Sequence, residues 1–354
     1  MKPGQPEAAY GGKGMKLIRT EEAVGHVLCH DMTQIIPGEY KDARFRKGHI
    51  VTEEDIPVLL SMGKESLYVW EKAEGMLHED EAALRLRDLC IGSHMHCTDV
   101  KEGKVELIAD ADGLCEVDTE RLYAVNSLEE LMIATRHTNT AVHPGEKLAG
   151  MRVIPLVIEE EKLIRAERAA GKEPLLRLTP WKLKTAAIIA TGSEVAKGLI
   201  QDRFTPVVEQ KLAGFGIRTV SKVLSGDDPE RIRDEIAEAH ENGTDLILCT
   251  GGMSVDPDDR TPGAIARSGV KIGTYGAPTR PGAMFCLGYF EDGTPVVGLP
   301  GCVMYAKATI FDLVLPRIAA GVPLTRGDFV RLGHGGLCLG CGECRYPVCP
   351  FGKG

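Results

Sequence analysis

The sequence predicts an α/β protein. Its main part is a three-layer, mostly parallel sheet domain, preceded by a mixed α+β, strand-rich region and followed by a cysteine-rich tail. Three observations predict this class. Apolar strand-like runs alternate with helical patterns over 184–321. A helical pattern at 79–90 is followed, up to about residue 155, by strand-like runs separated by turn residues, and four cysteines lie within 322–354. Strands that alternate with helices favour a parallel sheet with helices on both faces.

Composition excludes several classes of function. The chain has 354 residues, of which 43% are hydrophobic and 26% charged, so two or three globular domains are expected. Its net charge of -9 and the lack of a basic run argue against a nucleic-acid surface. No apolar run approaches the ~20 residues that cross a bilayer, so no membrane partner is predicted.

The first 14 residues are rich in glycine and proline and lack an apolar signal core. They predict a disordered tail, and secretion is not expected. The chain nevertheless contains 11 cysteines. In a protein without a secretory signal, cysteines favour reduced thiols or metal ligands over disulfides. A cytoplasmic location follows as an expectation.

The predicted domain boundaries follow from residues that start or end helices and from prolines that mark linkers. Thr52 and the acidic residues after it start a helix that Gly63 ends, and Pro174 and Pro180 mark a linker. The predicted parts are a disordered tail (1–14), a small N-terminal α+β unit (15–78), a strand-rich middle region (79–171), a linker (172–183), the sheet domain (184–321) and the cysteine-rich tail (322–354).

Within the sheet domain, glycine-bearing loops follow the apolar strands. Residues 185–190, 245–249 and 295–298 are such strands. Ligands of parallel sheets bind where loops leave the carboxyl ends of strands, and a phosphate needs converging donors without side-chain bulk. These loops therefore predict an anion site, with Pro300-Gly301 turning just before the last helix. Its residues are Thr191, Gly192, Ser193, Gly251, Gly252, Ser254, Pro300 and Gly301.

Four loops carry a family resemblance: Thr191-Gly-Ser-Glu194, the Gly-Gly-x-Ser run at 251–254, Arg280-Pro281-Gly282 and Leu299-Pro-Gly301. In order and spacing they resemble the molybdopterin-binding domain shared by molybdenum-insertion enzymes, molybdopterin adenylyltransferases and CinA-type proteins. The resemblance implies that the loops, Arg280, Pro281 and Gly282 included, bind molybdopterin or adenylyl-molybdopterin. Molybdate, a second copy of the chain and a molybdoenzyme client are the further partners expected.

Acidic residues complete the predicted site. Asp258 and Asp259 are adjacent in a tight loop, an arrangement that suits Mg²⁺ with ligand phosphates. The resemblance implies a catalytic acid here, matched by Asp259, and a second acid at Asp202. The pair Asp227-Asp228 is open between a metal or phosphate site and a helix cap.

The sequence differs from the molybdenum-insertion enzymes at two motifs, so the resemblance does not decide which activity the protein has. Where insertion enzymes have lysines around the Pro-Gly loop, this chain has Arg280, and it has no Asp-Gly-Tyr-Ala signature. One hypothesis is a transferase that moves molybdenum to (adenylated) molybdopterin with Mg²⁺. The alternatives are a molybdopterin carrier or sensor without turnover and a CinA-like nucleotide pyrophosphatase.

The tail has metal-ligand spacing, with cysteines at 338, 341, 344 and 349 and a proline after the last. Two-residue gaps aim sulfurs inward, and bacterial ferredoxins use a similar run. Cys338, Cys341, Cys344 and Cys349 are therefore predicted to hold a [4Fe–4S] cluster or Zn²⁺; the alternative is a mobile, reduced tail. No element is predicted to join this tail to the loops, so the two sites are expected to be independent.

Overall fold

The structure, a computed structural model, describes residues 15–36, 40–70, 74–192, 201–254 and 260–353. Contacts divide the chain into two compact units. The first unit runs to Leu178, except for residues 112–114 and 139–141, which group with the second unit. The second unit runs from Thr179 to the end of the chain and so includes the cysteine-rich tail.

The N-terminal part of the first unit is built from short antiparallel pairs. Strand β1 pairs with β4, and β2 pairs with β3, around an apolar core that includes Leu28, Leu59 and Leu67. The amide and the hydroxyl of Thr52 both donate to Asp55 Oδ2 at 2.8 Å, at the start of helix α1. The elements are β1 (Met15–Arg19), a 3-10 helix (Thr20–Glu22), β2 (Met32–Ile36), β3 (Tyr40–Phe45), α1 (Asp55–Ser61) and β4 (Ser66–Trp70).

The rest of the first unit centres on a four-stranded antiparallel sheet, in the order β6-β7-β11-β9. Helix α3 interrupts the stretch predicted to be strand-like, because Asp118 accepts the Arg121 amide at 3.1 Å and caps a helix there. The elements are β5 (Met76–His78), α2 (Glu79–Cys90), β6 (Met95–Cys97), β7 (Val105–Ala109), β8 (Gly113–Val117), α3 (Thr119–Asn126), β9 (Leu131–Thr135), β10 (Thr140–Val142), β11 (Lys147–Val153), β12 (Val157–Glu159), α4 (Glu160–Ala170) and β13 (Leu176–Pro180).

The second unit contains a six-stranded sheet in the order β15-β14-β16-β19-β18-β17. The first four strands are parallel to one another, whereas β18 runs antiparallel to both β19 and β17. The mostly parallel sheet predicted from the sequence is thus confirmed. Its strands are β14 (Thr185–Ala190), β15 (Arg218–Leu224), β16 (Leu246–Thr250), β17 (Lys271–Tyr275), β18 (Cys286–Tyr289) and β19 (Pro295–Leu299).

Helices cover both faces of this sheet, because successive strand residues point to opposite sides. Ile188 lies in one core with Val208 and Val314, on α5 and α8, while its neighbour Ile189 lies in another with Ile236, on α6. No helix among the described residues is both long and apolar enough to span a membrane. The helices are α5 (Phe204–Ala213), α6 (Pro229–Glu241), α7 (Thr261–Arg267), α8 (Ile310–Ala319) and α9 (Arg326–Arg331).

One predicted connection is wrong. The Pro300-Gly301 turn does not lead directly into the last helix predicted for the sheet domain, because a 3-10 helix (Gly301–Met304) follows it. Helix α8 begins only at Ile310, where Thr309 and Asp312 form a capping box. The capping box sets this start, since the Asp312 carboxylate accepts the Thr309 amide at 2.7 Å.

Candidate functional site

Three of the predicted loops leave one edge of the sheet side by side. In the parallel ladder Thr250 pairs with Ala190 on one side and with Leu299 on the other. The strands β14, β16 and β19 therefore end at the same level. The loops that follow them, with Thr191, Gly251 and Pro300 as their first residues, lie at the carboxyl edge of the sheet, where a parallel sheet binds its ligand.

The fourth loop reaches the same edge from the antiparallel side. Cys286, the first residue of β18, lies opposite Gly298 near the carboxyl end of β19. Strand β17 is antiparallel to β18, so residues 276–285, which join them, turn at the carboxyl edge. The topology thus brings the Arg280-Pro281-Gly282 loop to the edge where the other three loops begin.

The first two loops are held together by Thr191. Its amide and its hydroxyl both donate to the carbonyl oxygen of Thr250, at 2.7 and 3.0 Å. The same hydroxyl lies 3.2 Å from the hydroxyl of Thr261, and Thr191 is only 6% exposed. The predicted ligand-binding hydroxyl of Thr191 is therefore engaged inside the protein, where it ties β14 to β16 and α7.

Gly251 and Gly252 are required by this close contact. Both have positive φ, +89° and +54°. A Cβ added to Gly251 would lie 2.5 Å from the Thr191 carbonyl oxygen, and one added to Gly252 would lie 2.6 Å from Thr261 Oγ1. Gly301 is different, since no described atom lies within 4 Å of its added Cβ. No described residue fills the space beside Gly301, so a ligand can enter it. Gly251 and Gly252 instead allow the second loop to pack closely against Thr191 and Thr261.

The loop at 280–282 packs on helix α8 and exposes its arginine. Gly282 has a φ of +121°, and an added Cβ would lie 2.3 Å from Ile310 Cγ2. The Ile310 amide donates to the carbonyl oxygen of Pro281 at 3.2 Å. Arg280 is exposed, and its guanidinium makes no hydrogen bond or ion pair within the described part of the chain. A cation is thus available to an anionic ligand at this edge.

Two of the predicted acidic residues lie at helix starts and accept backbone amides there. Asp202 Oδ1 accepts the amides of Phe204 and Thr205, at 2.8 and 3.1 Å, at the start of α5. Asp228 accepts the Glu230 amide at 3.0 Å and caps α6. For Asp228, the structure therefore shows the helix cap, one of the two alternatives predicted for the pair at 227–228.

Several predicted residues lie outside the described residues: Ser193, Glu194, Asp258 and Asp259. Gly192 ends the described part of the first loop with a φ of +129°, and the exposed Ser254 ends that of the second.

Tyr275, which the sequence analysis did not identify, donates its hydroxyl to the Met253 carbonyl oxygen at 3.2 Å. It ties the end of β17 to the second loop, and a tyrosine at a strand end carries no motif that signals this role.

The tail is folded onto the sheet domain, which overturns its expected independence. The Arg280 amide donates to the Gly336 carbonyl oxygen, and the Cys338 amide donates to the Arg280 carbonyl oxygen, both at 2.8 Å. Farther on, the Tyr346 hydroxyl donates to the Asp312 carbonyl oxygen at 2.7 Å, and burial raises the pKa of Tyr346. The tail and the predicted ligand loop are therefore directly hydrogen-bonded. The sequence missed this because Arg280 lies more than 50 positions from both Gly336 and Cys338.

A cavity of about 280 Å³ lies between the tail and the sheet domain. Cys341 and Cys344 are exposed, and Cys338 and Cys349 are half-buried. No three His, Cys, Asp or Glu residues in the described ranges converge closely enough for a single metal ion. The cavity is lined by Pro281, Ala306, Lys307, Ala308, Leu337, Cys338, Leu339, Gly340, Cys341, Cys344, Arg345, Tyr346, Cys349, Pro350 and Phe351.

Comparison with protein families gives two matches. Residues 187–320 match the family described as "Probable molybdopterin binding domain". Residues 17–71 match a "Domain of unknown function (DUF8806)". The first match spans all four loops of the carboxyl edge, and the second lies in the N-terminal part of the first unit.

Comparison with known proteins gives partial similarities. A CinA-like protein of Mycobacterium tuberculosis (strain ATCC 25177 / H37Ra) is 35% identical over 82 residues, 23% of this chain and 19% of the relative. The chain thus spans about one fifth of the length of the curated relatives that it matches.

Among solved structures, the molybdopterin biosynthesis enzyme MoaB of Thermus thermophilus is 22% identical, with 40% of this chain and 99% of that chain covered and a TM-score of 0.34. CinA of Thermoplasma acidophilum, a protein of unknown function, is 19% identical, with 38% and 98% covered and a TM-score of 0.34. The sheet domain at residues 187–320 belongs to the molybdopterin-binding domain family.

Proposed function

We propose that this protein binds molybdopterin, or its adenylated form, at the carboxyl edge of the sheet and serves molybdenum cofactor biosynthesis. The family match of residues 187–320 is the observation that carries the proposal. The placement of four loops at one edge supports it, because ligands of parallel sheets bind there. A second copy of the chain and a molybdoenzyme client stay predictions of the sequence.

The phosphate of the ligand would be held by backbone and one cation. Gly301 leaves open space beside the start of the 3-10 helix, so a phosphate oxygen can approach the backbone closely. The exposed Arg280 guanidinium offers a planar pair of donors that suits a phosphate. The net charge of -9 does not oppose this, since local donors decide the binding of a small anion.

Arg280→Ala is expected to weaken molybdopterin binding about tenfold or more, because a hydrogen bond to a charged group contributes roughly 1.5–3 kcal/mol. The measurement is an anaerobic titration of purified protein, followed by pterin fluorescence. Arg218→Ala is the matched control, since Arg218 is also exposed but starts β15 at the opposite edge of the sheet. The proposal fails if native protein binds no molybdopterin at micromolar concentrations. If both variants lose molybdopterin affinity equally, the ligand does not bind specifically at the carboxyl edge near Arg280.

Turnover would require Mg²⁺, with Asp258 and Asp259 as its protein ligands. When bound, Mg²⁺ neutralises charge on the phosphates and favours loss of the nucleotide. Asp202 would assist from the start of α5, because only its Oδ1 accepts the two helix amides. In this scheme the chain acts as a molybdenumtransferase on adenylyl-molybdopterin. Without turnover, the same site makes it a carrier or sensor.

We expect Asp259→Asn to abolish AMP release from adenylyl-molybdopterin in the presence of Mg²⁺ and molybdate, while molybdopterin binding persists. Asp234→Asn, which changes an exposed carboxylate on α6, should release AMP at the native rate. If native protein binds molybdopterin tightly but releases no AMP, the protein acts as a carrier or sensor and not as a transferase.

The sequence similarity to CinA-like proteins supports a second candidate function, a nucleotide pyrophosphatase, which would release AMP from ADP-ribose.

A further inference from the structure

Four thiols of the tail surround one cavity. The cysteines at 338, 341, 344 and 349 all line the cavity of about 280 Å³, together with Pro281 and residues 306–308. All four are free thiols, and none is fully buried. Short gaps in the sequence bring the first three close together, but only the fold of the tail brings the fourth to the same cavity. Thiolates that share one cavity are the ligand set of a soft metal centre.

The arrangement does not suit a single zinc ion. Four thiolates at about 2.3 Å from one Zn²⁺ lie at the corners of a small tetrahedron. No three metal-ligating side chains within the described residues converge in this way. A cuboidal cluster differs, because it has a body of its own and takes one thiolate at each of four iron corners. The cavity of about 280 Å³ that the four cysteines line leaves room for such a body.

The charge of the cavity is complementary to a cluster. Apart from the thiols, the charged residues among its described lining are Lys307 and Arg345, and both are cations. Four cysteine thiolates and the cluster core together carry a net negative charge, which these cations offset. Most of the remaining lining is apolar, including Ala308 and Leu339. An apolar shell limits water at iron–sulfur centres and helps to set their potential.

The tail segment that carries the four cysteines packs tightly against the protein at both of its ends, at Gly336 and at residues 351–352. Gly336 is required at one end, because an added Cβ would lie 2.1 Å from the Leu332 carbonyl oxygen. At the other end Phe351 is 3% exposed, and an added Cβ on Gly352 would lie 2.4 Å from Leu313 Cδ2. The loop with the four thiols is thus held between two fixed points.

We propose that this cavity holds a [4Fe–4S] cluster ligated by Cys338, Cys341, Cys344 and Cys349. Each thiol loses its proton to solvent as its sulfur bonds one iron, so loading depends on pH and releases protons. The proposal does not rest on molybdopterin binding, because it stands on the tail and its own cavity. The cluster would lie next to Pro281, on the loop whose Arg280 is hydrogen-bonded to Gly336 and Cys338.

The test is metal analysis of the full chain, produced without oxygen and reconstituted with iron and sulfide. We expect about four iron and four acid-labile sulfide per chain, with a brown charge-transfer absorbance that bleaches on reduction. Cys341→Ser and Cys344→Ser should each lose the absorbance and most of the iron. Both side chains are exposed, so these variants should fold. Cys97→Ser, a half-buried cysteine in the first unit, should keep the native content.

Three results would overturn the proposal. One is a colourless protein with one zinc per chain. Another is a metal-free protein with four freely titrating tail thiols. The third is Cys341→Ser and Cys344→Ser protein with native iron content and absorbance. Hydrogen exchange adds a readout of the fold: loss of the cluster should speed exchange at the Cys338 amide, which bonds to Arg280. Equal exchange with and without the cluster would contradict its place in this cavity.

Discussion

Asp312→Ala is expected to destabilise the second unit by about 3–5 kcal/mol, the usual effect of breaking a buried ion pair by removing one partner. Asp312 is 11% exposed and pairs with Lys211, which is 15% exposed. The same carboxylate accepts the amide and the hydroxyl of Thr309, at 2.7 and 3.1 Å. Its loss therefore leaves the largely buried Lys211 ammonium with only the Lys307 carbonyl oxygen as an acceptor among the described residues, and it removes one half of the capping box of helix α8. Urea unfolding of the native and variant proteins measures the change.

Two other substitutions separate these effects. Asp312→Asn keeps the acceptor for the Thr309 amide but removes the charge, so its cost should lie below that of alanine. Lys222→Ala breaks a surface ion pair with Glu209, in which the lysine side chain is 58% exposed. That loss should cost less than about 1 kcal/mol. If Asp312→Ala costs no more than Lys222→Ala, the pair with Lys211 is not a buried one in solution.

Gly251→Ala is expected to cost about 3 kcal/mol or more, from left-handed strain and overpacking together. The φ of Gly251 is +89°, and an added Cβ would lie 2.5 Å from the Thr191 carbonyl oxygen. That oxygen belongs to backbone that is hydrogen-bonded to Thr250, so it has little room to move. Because the loop is part of the ligand edge, molybdopterin affinity should fall as well. Thermal unfolding and the anaerobic titration measure the two effects.

Gly243→Ala is the matched control for this glycine. It also has a positive φ, +73°, but no described atom lies within 4 Å of its added Cβ. It should therefore show only the backbone strain, about 1–2 kcal/mol, and native molybdopterin affinity. Equal destabilisation by the two substitutions would mean that the contact between Gly251 and Thr191 does not constrain the loop.

The sequence was informative wherever local pattern decides the structure. Apolar runs followed by glycine-bearing loops predicted the strands β14, β16 and β19, and the sheet confirms them. Their parallel order follows from the helices between them, since a parallel crossover needs a long connection. Helix α3 was missed, because its signal is a single Asp118 cap in a stretch that otherwise alternates like a strand.

Contacts between distant parts of the chain decided the rest. From the sequence, Thr191 offered a hydroxyl to a ligand, but the neighbouring strand end uses that hydroxyl at 3.0 Å. Asp202 was a candidate for chemistry and Asp228 was open between a site and a helix cap, and the structure shows that each accepts backbone amides at a helix start. A hydroxyl or carboxylate has the same local sequence signal whether it binds a ligand or satisfies a buried amide. Only the position of its partner separates the two uses.

The sequence by itself determined the family of the sheet domain and the order of its loops, because strand pattern, glycine positions and spacing are local properties. It also indicated thiolates as the candidate ligands of the tail, since cysteine gaps can be read directly. Only the tertiary structure decided that the tail is hydrogen-bonded to Arg280 and that Lys307 lies in the cavity of the cysteines. Such contacts join residues tens of positions apart, and they form only when the core has packed.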